Sequence, residues 1–177
     1  MKRSILVLTI AIFLVGFTVY TNIENKHKET ILPTEQAPKV NYLAPFFTVK
    51  GLDGLEYKVG GARDKPLVIN FWASWCGPCA EEAPDLNYVY KKYEGKFDLY
   101  AVNVTQSDKL ADVKKFAKDQ GYPFPVLLDP DGKTAETYRF LFIPTSYLID
   151  KNGVIQEVIN VLPRDELDKK IKHLING

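Results

Sequence analysis

Two cysteines, Cys76 and Cys79, stand three positions apart where an apolar run over residues 66–72 gives way to a helical pattern. That placement restricts the chain more than any other feature. The first amides of a helix are unpaired and lie at the positive end of the macrodipole. A thiolate at Cys76 is therefore stabilised, and its pKa is expected to fall from about 8.5 toward roughly 7 or below. Cys79 falls one turn further in. A Cys-x-x-Cys pair at a helix start can close a disulfide with acceptable geometry, and either oxidation state can be accommodated.

Two other uses compete with redox chemistry. As a permanent staple, a four-residue loop removes only about 2 kcal/mol of unfolded-chain entropy. A zinc site normally wants four ligands, and the two histidines, His27 and His173, lie near the N-terminus and on the last helical stretch. The spacing therefore points to a redox dithiol.

With 177 residues, 46% of them hydrophobic, the chain suits one core plus an appendage. Beyond the first thirty residues, 19 basic side chains face 20 acidic ones, a formal charge of −1. Such a balance offers no electrostatic footprint for nucleic acid. The appendage is Lys2-Arg3 followed by an uncharged, mostly apolar stretch over 4–20, long enough to span a bilayer at the short end of the usual range. Residues 1–20 are read as an uncleaved signal-anchor helix, with a cleaved signal peptide as the competitor; no small-x-small site follows the run. The positive pair before the span keeps the N-terminus in the cytoplasm and puts the domain on the extracytoplasmic face of the cell membrane. Residues 21–38 are polar, with Pro33 and Pro38, and read as a tether. The globular domain is assigned to 39–177.

Within it, apolar runs over 44–49 and 55–59 flank the turn Gly51-Leu52-Asp53-Gly54 and predict a β-hairpin. The run over 66–72 is apolar enough for a buried central strand. The helix after the cysteines is expected to bury Leu86, Val89, Tyr90 and Tyr93, to kink at Pro84 and to stop at Gly95. A strand over 97–104, a helix over 109–120, a short strand over 126–128 and a brief helix over 134–138 follow. Residues 145–149 and 154–160 form a second hairpin, and a last helix begins near Pro163. This order is that of an α/β sandwich around a mixed sheet flanked by helices. Asn103-Val104-Thr105 matches a glycosylation acceptor, read as accidental at a strand end.

The block Phe71-Trp72-Ala73-Ser74-Trp75-Cys76-Gly77-Pro78-Cys79, together with Ile143-Pro144-Thr145 before a later strand, resembles thioredoxin. The fuller pattern, with Glu82 and Pro84 after the second cysteine and a helix-strand insertion before the Pro-Thr strand, is similar to the membrane-anchored TlpA/ResA-like thioredoxins, relatives of the AhpC/TSA group. The likeness covers roughly residues 40–177. It implies a thioredoxin-like fold and a thiol-disulfide oxidoreductase in which Cys76 attacks and Cys79 resolves. It also implies that Pro144 is a cis-proline, with Ile143 and Thr145 beside it where a substrate segment pairs. No dissociable cofactor is implied, because the dithiol carries the electrons. The partners implied are client proteins with oxidised cysteines, such as apocytochrome c, and a CcdA-like membrane electron donor.

Two departures matter. The buried acid of thioredoxin, six residues before the first cysteine, is here Asn70, which cannot take a proton. Glu82 then becomes the expected proton handler for Cys79; the competing reading is an exposed helix glutamate, as expected for Glu81. The second departure is Arg139-Phe140-Leu141-Phe142, where many relatives carry small residues or glycine. These residues belong either to the core or to a substrate-docking surface. Trp75 shields the thiolate, covers a docking groove or simply packs; Trp72 is expected in the core. The Gly-Pro dipeptide between the cysteines is the thioredoxin type, near −270 mV against about −120 mV for a strong oxidant, and favours a reductant. Two other classes share fold features. A peroxidase of the AhpC/TSA type wants Thr three residues before its reactive cysteine, where this chain has Ala73. A Sco-type copper-delivery module wants wider cysteine spacing and a nearby histidine.

Overall fold

In the computed structural model, residues 10–20 and 33–177 are described. The chain divides into two units with the boundary between Leu32 and Pro33. In the first, residues 10–20 form a helix, α1. Among the described residues no helix is long and apolar enough to cross a membrane. The expected anchor over 1–20 and tether over 21–38 lie partly outside the described residues, and His27 lies wholly outside them.

The second unit begins with an antiparallel hairpin, β1 (Phe47–Lys50) and β2 (Glu56–Val59), registered Phe47 to Val59. A five-stranded mixed sheet follows, in the order β5-β4-β3-β6-β7. Its strands are β3 (Leu67–Trp72), β4 (Asp98–Asn103), β5 (Val126–Leu128), β6 (Thr145–Ile149) and β7 (Ile155–Ile159). Strand β3 is central, parallel to β4 and antiparallel to β6. The helices are α2 (Gly77–Lys92), α3 (Leu110–Asp119), α4 (Lys133–Tyr138) and α5 (Arg164–Asn176), with a 3₁₀ turn at Thr105–Ser107.

Every residue of β3 is buried, as its apolar run requires of a strand covered on both faces. Side chains alternate across the sheet, so Val68 and Trp72 enter one core with Leu86 and Val89 of α2 and Leu167, Ile171 and Leu174 of α5. Leu67, Ile69 and Phe71 enter the other, with Phe47 and Val59 of the hairpin and Tyr138 of α4. Asn70 shares its face with Val68 and Trp72 and so points at α2. Tyr90 and Tyr93, expected to be buried, are only half-buried, because they lie on the flank of α2 against the rim of the first core. Helix α2 runs on through Pro84.

The segment before and within the hairpin touches both margins of the sheet. At β7, Asn41 N–H donates to Ile155 O, Ile155 N–H to Tyr42 O and Ala44 N–H to Gly153 O, each at 2.9 Å. At β5, Leu52 N–H donates to Val126 O at 2.8 Å and Gly51 bridges to Leu127. Residues 33–38, at the end of the polar stretch, belong to this unit, with Gln36 bridging to Leu43. The turn between β6 and β7 closes on Gly153 (φ 83°), where a Cβ would meet Gly61 O at 2.6 Å.

Candidate active site

The chain leaves β3 at Trp72, crosses Ala73-Ser74-Trp75 and enters α2 at Gly77. Cys76 is the N-cap, with extended backbone (φ −89°, ψ 108°), and its Sγ accepts the Cys79 N–H at 3.2 Å. The sulfur thus receives one of the unpaired amides of the helix start, the interaction that stabilises a thiolate once the pair is reduced. Pro78 lies within the first turn, where no intrahelical N–H is required. Cys76 and Cys79 are joined as a disulfide. Cys76 is 6% exposed and Cys79 0%, so an incoming sulfur meets Cys76 first.

Glu82 is three residues after Cys79, on the same side of α2. It is buried, at 7% exposure, and its Oε1 accepts from Asn70 Nδ2 at 2.7 Å. The same nitrogen donates to Ser146 Oγ at 3.0 Å. Ser146 stands directly opposite Asn70 in the β3–β6 register, so three elements converge behind the cysteines. Burial pushes the Glu82 carboxyl up to about 7; the Asn70 hydrogen bond opposes that and the Asp85 charge adds to it. Glu81 is exposed. Glu82 is therefore not a solvated helix glutamate, and Asn70, which cannot itself carry a proton, holds the residue that can.

The Ile143–Pro144 peptide bond is cis, as the family likeness implied. Thr145 pairs with Phe71, which puts Pro144 opposite Trp72 at the end of β3 from which the cysteine loop emerges. Thr145 Oγ1 donates to Phe142 O at 2.7 Å. Asn160 Nδ2, beyond the end of β7, donates to Pro144 O at 2.9 Å and to Thr145 Oγ1 at 3.0 Å. The sequence offered no sign of Asn160, fifteen or more residues from both partners.

Asp108 was likewise missed. Its carboxylate accepts from Ser74 N–H and Ser74 Oγ, both at 2.6 Å, from Asn103 Nδ2 at 2.9 Å and from Lys109 N–H at 2.8 Å. Partial burial raises its pKa, but the bonds from Ser74, Asn103 and Lys109 outweigh it and hold the carboxyl below the usual range. Trp75, 62% exposed, is pinned next to it by a bond from Nε1 to Ser107 O at 3.0 Å. Asn103, of the apparent glycosylation acceptor, is fully buried with its amide engaged at Asp108. Trp72 is fully buried, and His173 is exposed on α5. Among the described residues no group of three or more His, Cys, Asp or Glu side chains is placed to hold a metal ion.

The loop Arg139–Phe142 enters the core at one residue only. Phe140 packs on Phe71 with ring centroids 4.5 Å apart, whereas Leu141 and Phe142 are exposed.

The AhpC/TSA family model matches residues 40–158. The thiol-disulfide oxidoreductase ResA of Bacillus cereus is 33% identical over 181 residues, covering 98% of this chain and 99% of the relative. The thioredoxin-like protein YneN of Bacillus subtilis is 33% identical over 162 residues, covering 90% and 92%. Among solved structures, StoA of Bacillus subtilis superposes with a TM-score of 0.62 at 27% identity, covering 71% of this chain and 95% of that one. A thiol:disulfide interchange protein of the thioredoxin family from Chlorobium tepidum gives 0.67 at 28%, covering 75% and 95%. With a redox-competent cysteine pair at the head of α2 and these relatives along nearly its whole length, the chain belongs to the AhpC/TSA family of thioredoxin-like proteins and is a thiol-disulfide oxidoreductase.

Proposed function

We propose that the chain is a membrane-anchored reductant of protein disulfides, with its domain on the extracytoplasmic face. The observation that carries this reading is the pairing of one reachable sulfur, Cys76, with a buried carboxyl, Glu82, one turn behind the unreachable one. In the reduced protein, the Cys76 thiolate attacks a client disulfide. One client sulfur leaves as a thiolate and a mixed disulfide forms. The Cys79 thiol passes its proton to Glu82 and attacks the Cys76 sulfur, releasing the second client thiolate and closing the Cys76–Cys79 bond. The client gains two electrons and the dithiol loses two. A carboxyl with a pKa near 7 is matched to that proton transfer at neutral pH.

The client segment lies along Ile143, Pro144 and Thr145, with Trp75 on its other side. The apolar stretch after Lys2 and Arg3 and the full-length likeness to ResA support the anchor over 1–20, the tether over 21–38 and the outer location. No dissociable cofactor takes part. Recharging Cys76 outside the cytoplasm calls for a membrane dithiol donor of the CcdA kind, and the clients are proteins with oxidised cysteines, apocytochrome c among them.

A redox titration of the full chain in detergent tests the direction. The expected midpoint lies near the thioredoxin value of about −270 mV; a midpoint above roughly −150 mV would make the protein an oxidant and overturn the proposal.

A further inference from the structure

The ladder between β6 and β7 stops before it reaches Pro144. Its register pairs Ser146 with Ile159, so one further step would set Asn160 opposite Thr145. By then β7 has ended, and the chain turns away through Val161 and Leu162 to Pro163 at the head of α5. The Asn160 carboxamide takes over where the backbone leaves off. Its Nδ2 donates to Pro144 O at 2.9 Å and to Thr145 Oγ1 at 3.0 Å. Chemistry fixes which way the amide faces: Pro144 O can only accept, and Thr145 Oγ1 gives its own proton to Phe142 O at 2.7 Å. One side chain thus supplies the donor that a longer β7 would have supplied from its main chain.

The Pro144–Thr145 peptide unit is held on both sides, by Asn160 at its carbonyl and by the pairing of Thr145 with Phe71 of β3. Ile143 is the opposite case. Among the described residues neither its N–H nor its carbonyl has a hydrogen-bond partner, and the residue is only half-buried. A fixed backbone unit therefore borders an open one, the arrangement in which an extended segment adds to a sheet through main-chain bonds. We infer that Asn160 is a positioning residue for the exchange reaction, holding the backbone of Ile143, Pro144 and Thr145 in the orientation in which a client segment pairs with it. The role rests on the proposed course of the client along these three residues and adds the group that maintains it. Asn160 acts through Pro144 and Thr145 and not on the sulfurs, so its loss falls on client affinity and spares the reactivity of Cys76. Backbone freed at this point must be ordered again on binding, which at the worth of about one hydrogen bond raises KM roughly five- to tenfold.

The test compares the full chain in detergent with Asn160→Ala and Asn160→Asp; the second keeps the shape of the side chain but has no N–H to donate. Each protein is reduced and given two substrates, a peptide with one intramolecular disulfide and hydroxyethyl disulfide, which has no backbone to pair. The parent is expected to favour the peptide in kcat/KM. Both variants are expected to lose that preference about five- to tenfold, through the peptide KM, with kcat within about twofold of the parent. Any effect of the Asp charge on Cys76 is common to both substrates and cancels in the ratio. A preference retained by both variants overturns the positioning role and leaves the reductase proposal standing. A loss in Asn160→Ala that Asn160→Asp does not share would make the residue a space-filler and overturn the role as well. A parent that does not favour the peptide removes the client from Ile143, Pro144 and Thr145, and the role of Asn160 with it. Should only the oxidised protein react, the proposed direction fails, and the same ratio, taken for the dithiol peptide against dithiothreitol, decides the role of Asn160.

Discussion

At Glu82, burial and chemistry act on the same proton. The carboxyl is shut from water behind Cys79, so its charged form is disfavoured and its pKa rises from 4.5 to about 7. In the unfolded chain the group ionises near the ordinary value. Between pH 4.5 and 7 the unfolded state thus holds fewer protons than the native state, and stability falls as pH rises through that window and is level above it. Glu82→Gln removes the penalty and keeps an acceptor for Asn70. Urea unfolding of the oxidised forms is expected to give equal stabilities near pH 4. At pH 8 the variant should lead by up to about 3 kcal/mol, the size of a shift of this order. The same variant is expected to lose the inflection near pH 7 in the rate of mixed-disulfide resolution; a profile matching the parent would remove Glu82 from the mechanism.

Cys76, Cys79, Glu82 and Pro144 were legible as candidates because local spacing and a family pattern mark them. The roles of Asn70, Asp108 and Asn160 were not. Asn70 meets partners 12 and 76 positions away, and Asp108 meets Ser74 across 34; only the tertiary fold brings them together.

Among the elements, the join between β3 and α2 depends on the turn that follows β4. Asp108 takes four donors there, two of them from Ser74, while Ser107 takes the Trp75 indole. Asp108→Ala leaves the Ser74 and Lys109 donors without this acceptor, at a cost of about 1–3 kcal/mol in unfolding free energy. The Ser74 amide is expected to exchange its hydrogen faster than in the parent, with amides in the middle of β3 unchanged. If both behave alike, the turn does not hold the cysteine loop. The strands and helices themselves were readable from periodicity, as were the hairpin β1–β2 and the buried run of β3. The sheet order was not, since contacts between strands distant in sequence leave no local mark. The 3₁₀ turn at Thr105–Ser107 was also missed, being too short for a periodic signal.

For the whole 33–177 unit, the decisive contacts are those of the N-terminal segment with the two sheet margins. An uncovered edge strand offers unpaired backbone groups to another chain. A fragment starting at Pro45 lacks the bonds that Asn41, Tyr42 and Ala44 make to the β7 margin. Compared with a fragment starting at Pro33, it is expected to self-associate at lower concentration, as light scattering would register. Indistinguishable scattering would mean that the β7 margin is protected by something else.

Where that segment grips matters too. Residues 41–44 bind at the β6–β7 turn, near Ile149, which pairs with Leu67 at the start of β3; the cysteines follow the strand's far end. Six residues of central strand, roughly 20 Å, separate the two. Tension arriving along the chain from its N-terminal side would be resisted by backbone pairing at one pole of the sheet, leaving the sulfurs at the other pole mechanically insulated.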